Sequence, residues 1–276
     1  MSEVFQKDVC NAFKNIGAKD GDIVVFHSSL KSMGHVNGGP LAVINGALDA
    51  VGSNGTVAIP TLWWDGAAEK TPDKFDLKNS PAYNGAIADA MRQDPRSYRS
   101  NHYSHSLSAI GAKAAELTSE HGTGKLYPDP WNETAFSENS PWTKLYNYDA
   151  LYCFIGCTLN VCTIKHRIEG EFIREQLDKL PVELRDEFRQ KLHYKRKYTF
   201  WANFDIEKMQ ELFIAEGTVL QTKLGDTQLI GVRTQTLFKR VKELLYAEPE
   251  KWFLNPDFPN FMKELDKVKG CVIKDD

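Results

Sequence analysis

The sequence predicts an α/β fold: a central mixed β-sheet flanked by helices, with a more helical C-terminal region. Three observations predict it. An apolar run at Ile23 to Phe26 is followed by a glycine-rich turn, a helical pattern and a second apolar run, the order of an α/β unit with a parallel strand pair. A third apolar run, "ALYCFIGC", passes into another helical pattern. Beyond Pro181 the texture becomes charged and helical, broken by one hairpin signal.

The elements follow in order. "VFQKDVCNAFKNIG" places apolar residues at helical spacing and stops at Gly17. "DGDIVVFHSSL" is a buried strand followed at once by small polar residues. "GPLAVINGALDAVG" is a helix with Pro40 in its first turn. "GTVAIPTL" is the second strand. Trp63 to Pro81 reads as a long functional loop. "NGAIADAMRQDP" is a helix, "RSNHYSHSLSAIG" a polar loop entering a short strand, and "GAKAAELTSEHG" a helix. Another turn-rich loop then leads to the third strand, and a helix begins at Thr163. After it come the helical, highly charged stretch "REQLDKLPVELRDEFRQKL", a strand "KYTFWANF", a helix "IEKMQELFIAEG", a hairpin turning at Gly-Asp in "TVLQTKLGDTQLIGVRT", and an amphipathic helix "QTLFKRVKELLYAE". The tail from Pro249 is aromatic and punctuated by prolines. The organisation expected is a catalytic core over 1–180 and a mainly helical substrate-binding region with a β-hairpin over 181–276, packed on the core.

Composition narrows the function classes. The 276 residues are 42% hydrophobic and 26% charged, with a net charge of −3, so no basic field marks a nucleic-acid binder. No run of 18 apolar residues predicts a membrane span. The first residues form an amphipathic pattern rather than a secretory signal, so a cytoplasmic protein is expected. Five cysteines without regular spacing read as free thiols.

Three stretches carry chemistry. In "FHSSLKSMGHVNGGP", small residues follow a strand where open α/β sheets place ligands, and Gly38-Gly39 precede a helix start whose N–H groups attract anions. Taken alone, two serines after a strand are more often simple turn formers. In "YRSNHYSHS", Arg99, Ser100, Asn101, His102 and His105 cluster as hydrogen-bonding groups. Two histidines three apart lack a cysteine or carboxylate partner for zinc, so anion or substrate contacts and a plain surface loop stay open. In "CTIKHRIEGEF", Thr163, His166 and Glu169 fall at three-residue spacing on one helix side. That pattern allows a metal site, a Cys162–His166 nucleophile pair, an acid–base centre or a polar surface.

Taken together, "HSSLKSMGHVNGG", "GTVAIPT", "NGAIADAMRQDPRSYRSNHYSHSLSAIG", "SPWTKLY" and "TIKHRIE" occur in the order found in the aminoglycoside 3-N-acetyltransferase-like family, which the chain resembles from Asp22 to Arg174 and again around "KLGDTQLIG". The resemblance implies an acyl-coenzyme A-dependent N-acyltransferase acting on a sugar amine, with acetyl- or hydroxyacyl-coenzyme A as co-substrate and no metal. His166 corresponds to the family's catalytic histidine and is expected as general base, with Glu169 orienting it or holding the ammonium and Thr163 positioning substrate or stabilising the oxyanion. His27, Ser28, Ser29 and Leu30 match its coenzyme-binding turn. Arg99, Ser100, His102 and Ser106 match a motif near the coenzyme. Tyr103 stands where the family usually has proline, the loop from Gly122 to Ser140 is longer than usual, and "PVELRDEFRQKL" is special to this chain.

For the acceptor, charge argues against polycationic aminoglycosides, which profit from a strongly acidic field. The near-balanced charge and the basic run "HYKRKY" point to a nucleotide-linked amino sugar, with Asp76, His105, Lys195, Arg196 and Trp201 facing it. An aminoglycoside 3-N-acetyltransferase is the alternative. A non-catalytic coenzyme A- or nucleotide-binding module and a zinc hydrolase are the rivals from other classes. The partner expected is a small-molecule amino sugar, with no nucleic acid and no membrane; a homodimer is allowed.

Overall fold

The computed structural model describes residues 1–63, 72–128, 132–192 and 201–272. The chain begins with β1 (Glu3–Val4) and α1 (Gln6–Asn15), whose first turn is closed by the Asp8 carboxylate accepting the Phe5 N–H at 2.9 Å. Val9, Ala12 and Phe13 form its buried stripe. β2 (Ile23–Ser28), the short β3 (His35–Val36), α2 (Gly39–Val51) and β4 (Thr56–Pro60) complete the first α/β unit. α3 (Ala86–Gln93), β5 (Tyr98–Arg99), β6 (Leu107–Gly111) and α4 (Ala114–Thr118) follow. α5 (Pro141–Asn147) leads into β7 (Leu151–Ile155) and α6 (Lys165–Asp178).

The C-terminal part holds α7 (Val182–Lys191), α8 (Ile206–Ala215), the hairpin β8 (Leu220–Leu224) and β9 (Thr227–Arg233), α9 (Thr234–Ala247), α10 (Pro249–Trp252) and α11 (Phe258–Val272).

The main sheet runs β5-β6-β4-β2-β7-β9-β8, while β1 and β3 pair separately. β4, β2 and β7 are parallel at its centre, and the flanks on both sides are antiparallel. The mixed, helix-flanked sheet is therefore as the sequence predicts. β9 pairs with β7 in register Ile155↔Leu229, so residues after 181 share the sheet with those before 180.

Strand alternation divides the core in two. Val24 and Phe26 of β2 pack with α1 and α2, whereas Ile23 and Val25 pack with Tyr152, Phe154 and the α6 residues Ile168 and Phe172. His27 continues the second series and so lies on the α6 side, stacked 5.8 Å from Phe154. α6 is approached closely by the segment between α4 and α5: a Cβ at Gly170 would stand 2.4 Å from the Pro128 carbonyl oxygen. Only glycine allows that approach.

Three local expectations change. The turn-rich loop expected up to Pro141 instead runs into α5, where Ser140 accepts the Thr143 N–H and Pro141 opens the first turn, a recognisable helix start. α6 begins at Lys165, two residues after Thr163. The proline-punctuated tail forms α10 and α11, because Trp252, Phe253, Phe258 and Phe261 bury against the α6 core. Of the strand expected in "KYTFWANF", residues 193–200 lie outside the described residues, and Phe204 makes one antiparallel bridge with Phe253.

Candidate active site

The parallel strands β2, β4 and β7 end together, and the residues of interest gather at that end. The antiparallel β6 starts there, opposite Pro60, which brings the 98–106 loop to the same rim. This is the edge where open α/β sheets hold their ligands.

His166 and Glu169 sit one turn apart on α6. The Nδ1–H of His166 donates to Oε2 of Glu169 at 2.8 Å. Glu169 is fully buried, and the indole N–H of Trp201 donates to the same Oε2 at 2.8 Å. Among the described residues its second oxygen, Oε1, has no hydrogen-bond donor; it lies 3.8 Å from Lys165 Nζ, which is itself held by Asn203 Oδ1 at 2.9 Å. A carboxylate so buried needs its compensating charge and donors. With Nδ1 carrying the proton toward Glu169, the imidazole keeps its lone pair at Nε2, the form of a general base. His105 stands edge-on to the His166 ring at 6.5 Å, and Phe136 lies 6.0 Å from it. His105 is itself fixed through Nδ1 to Ser104 Oγ at 2.8 Å.

Thr163 lies in the turn before α6. Its Oγ1 is 3.3 Å from His27 Nε2, and its N–H donates to Tyr152 Oη at 3.1 Å. Tyr152 Oη and His27 Nε2 are 2.8 Å apart. Burial pulls the His27 pKa down to about 3, so this ring is neutral near pH 7. Sequence order separates His27 from Thr163 by more than a hundred residues; the pairing of β2 with β7 brings them together.

The other expected residues are placed as follows. Arg99 directs its guanidinium at carbonyls, with Nη1 to Ser80 at 2.6 Å and Nη2 to Thr61 at 2.7 Å, and lies over the Phe75 ring. Burial, with Arg92 nearby, lowers its pKa to about 10. Ser106 Oγ donates to Thr61 O at 2.6 Å. Ser100 Oγ accepts the Leu107 N–H and pairs with His121 Nδ1, both at 2.9 Å. His102 accepts the His105 N–H at Nδ1, donates from Nε2 toward Thr134 Oγ1 at 3.1 Å, and stacks 4.4 Å from His121. Arg99, Ser100, His102 and Ser106 thus tie loops to the sheet.

Asp76 is exposed and caps its own turn, accepting N–H groups from Lys78 and Asn79 at 2.8 Å; these bonds lower its pKa. Trp201 meets Glu169 from within the core rather than lining an open surface. Lys195 and Arg196 lie outside the described residues. Ser28, Ser29 and Leu30 are partly exposed at the rim.

Sequence reasoning missed Tyr152, Lys165 and His121. Tyr152 sits in an apolar run that reads as packing, and only its partners reveal its hydroxyl. Cys162 is buried, and burial pushes its thiol up to about 12, which disfavours a thiolate nucleophile. Among the described residues no group of three or more His, Cys, Asp or Glu side chains is gathered to hold a metal ion. No described helix is long and apolar enough to cross a membrane.

Comparisons with known proteins address the family. The chain is 30% identical over 172 residues to aminoglycoside N(3)-acetyltransferase IX of Micromonospora chalcea, a match covering 56% of this chain and 58% of that protein. It is 26% identical to the SPbeta prophage-derived aminoglycoside N(3')-acetyltransferase-like protein YokD of Bacillus subtilis (strain 168), over 94% of this chain and 95% of that one. Among solved structures, AAC-IIIb in binary complex with CoASH superposes with a TM-score of 0.64 at 20% identity, covering 89% of this chain and 98% of that one, which establishes a shared fold. None of these names supports the nucleotide-linked amino sugar expected from charge. The family model for aminoglycoside 3-N-acetyltransferase matches residues 25–246. With most of its length matched in this way, the chain belongs to the aminoglycoside 3-N-acetyltransferase family.

Proposed function

We propose that the protein transfers an acetyl group from acetyl-coenzyme A to an amine of an aminoglycoside-type amino sugar, with His166 as general base. One observation carries this reading: His166 donates from Nδ1 to the buried Glu169 and so keeps Nε2 as the proton acceptor at the ligand-binding rim of the sheet. An amine must shed a proton to attack a thioester, and a positioned histidine contributes about 10²–10⁴-fold to such a step. Glu169 is buried behind the imidazole and shared with Trp201, a placement that supports an orienting role rather than capture of the incoming ammonium. Thr163 is then the hydroxyl that supports charge on the carbonyl oxygen.

The residues at the rim suit coenzyme A. Ser28 and Ser29 are partly exposed at the end of β2. Gly38, at φ 86°, opens the first amides of α2, and Asn37 Nδ2 beside it is buried with no hydrogen-bond partner among the described residues. Such unused donors match phosphates and amides. Bound there, coenzyme A supplies an acyl group activated as a thioester. Arg99, with its donors directed at carbonyls, is left out of this set.

The second acceptor reading, a nucleotide-linked amino sugar, rests on the net charge of −3 and on a basic run whose residues 193–198 lie outside the described residues. Thiol release from acetyl-coenzyme A, measured with apramycin, sisomicin and a UDP- or dTDP-amino sugar, separates the two. Release with the aminoglycosides is expected. Turnover of the nucleotide sugar alone would replace the acceptor, and release with no amine would overturn acyl transfer altogether.

A further inference from the structure

We infer that Lys165 is a positioning residue of the acyl-transfer site: its ammonium supplies the countercharge of the buried Glu169 and so leaves His166 free to stay a neutral base. This rests on the acyl-transfer reading above and gives a role to a side chain that the Thr163, His166 and Glu169 spacing passes over.

The argument is one of charge balance. Glu169 is fully buried, on a helix whose Ile168 and Phe172 belong to the apolar core. An ionised carboxylate in such a place is strongly unfavourable unless a cation and donors offset it. Its Oε2 accepts from His166 Nδ1 and from the Trp201 indole, both at 2.8 Å. The indole brings a donor without a charge. Its Oε1 accepts from no described residue, and Lys165 Nζ stands 3.8 Å away. Among the described residues, the cations within ion-pair distance of Glu169 are therefore Lys165 and, when protonated, His166.

Lys165 is held in place for this. It lies one turn before Glu169 on α6, and its side chain is 13% exposed. Its ammonium donates to Asn203 Oδ1 at 2.9 Å, reaches the Phe204 carbonyl oxygen at 3.5 Å and sits 5.6 Å from the centre of the Phe204 ring. The partners are anchored in turn. The Leu254 N–H donates to the Asn203 carbonyl at 2.8 Å, and Phe204 bridges Phe253. Trp201 comes from the same short stretch, so residues 201–204 hold both members of the ion pair.

The consequence falls on the base. With the ammonium and the carboxylate both charged, the group is balanced while the imidazole is neutral. Nε2 then keeps its lone pair for the proton of the amine. Without the ammonium, balance returns only if Glu169 takes up a proton or His166 becomes imidazolium. A protonated Glu169 is a weaker acceptor for the Nδ1–H, and an imidazolium has no lone pair. The nearby Cys162 thiol, pushed up to about 12 by burial, is neutral and offers no cation. His105, from the 98–106 loop, meets the imidazole edge-on at 6.5 Å.

The test measures thiol release for Lys165→Met, for Lys165→Arg, and for Lys165→Met combined with Glu169→Gln. Lys165→Met is expected to lower kcat by about tenfold or more while KM for acetyl-coenzyme A holds. Lys165→Arg keeps the charge and is expected to recover most of that loss. Glu169→Gln removes the charge that needs balancing, so in its background Lys165→Met is expected to cost nothing further. Effects that multiply in the pair, a loss that arginine does not relieve, or a change confined to KM would overturn the inference. Thermal unfolding keeps it testable where Lys165→Met is too unstable to assay. The double variant is expected to melt above Lys165→Met alone, because no buried charge is stranded; a melting temperature equally low or lower assigns Lys165 to packing. A parent enzyme that releases no thiol with any amine defeats the acyl-transfer reading, while the melting order of these variants still decides the ion pair.

Discussion

Trp201 donates its indole N–H to Glu169 Oε2 at 2.8 Å, the oxygen that also holds His166. A tryptophan from the C-terminal part thus shares the carboxylate that fixes the candidate base. Trp201→Phe keeps most of the ring volume and removes one donor. Relieved of that donor, Glu169 loses one of the groups that fix it, and the imidazole it orients is held less firmly. kcat is therefore expected to fall about tenfold while KM for acetyl-coenzyme A holds. Unchanged turnover with a lower melting temperature would assign Trp201 to packing alone.

His166→Ala is expected to reduce thiol release by about 10²–10⁴-fold with the fold retained, because the ring is partly exposed at the rim and its loss leaves no large cavity. Glu169→Gln is expected to lower kcat by about 10²-fold or more through the wrong tautomer, the effect known from acid–histidine pairs elsewhere. Circular dichroism and turnover on the same samples separate the two losses.

Arg99→Met should weaken folding rather than coenzyme binding. The guanidinium serves the Thr61, Leu77 and Ser80 carbonyls, and leaving them short of donors is expected to cost about 2–4 kcal/mol in urea denaturation. KM for acetyl-coenzyme A should hold. A large rise in KM with unchanged stability would return Arg99 to the coenzyme.

Acid should unfold the protein partly through buried histidines. Burial lowers the His27 pKa to about 3 and the His121 pKa well below the ordinary value. Both rings are neutral when folded and protonate in the unfolded chain below about pH 6.5. Their contribution is complete above that pH and is lost as pH falls toward the folded values. Each unit below it removes up to about 1.4 kcal/mol per ring. Urea midpoints at pH 7.5 and 5.0 measure the slope, and His27→Gln should reduce it; an equal slope in the variant would refute the assignment.

Much of the fold is legible along the chain because apolar periodicity is local. The runs of β2, β4 and β7 and the helices α2, α3 and α4 follow from spacing alone. α5 does not, because Ser140-Pro141 carries turn chemistry as well as a helix start, and α11 does not, because its aromatics find their burial only against α6 and α7.

The sequence by itself determined the sheet class, the hairpin, and the His166–Glu169 spacing, which one helical turn converts directly into contact. Only the tertiary structure decided the rest of the site. It put His27 beside Thr163, turned Trp201 inward onto Glu169, and directed Arg99 at carbonyls. These partners lie tens of residues apart or more, and their meeting depends on strand register and on which face of the sheet each side chain takes. A residue pattern encodes the face within one strand, but not which strand lies next to it.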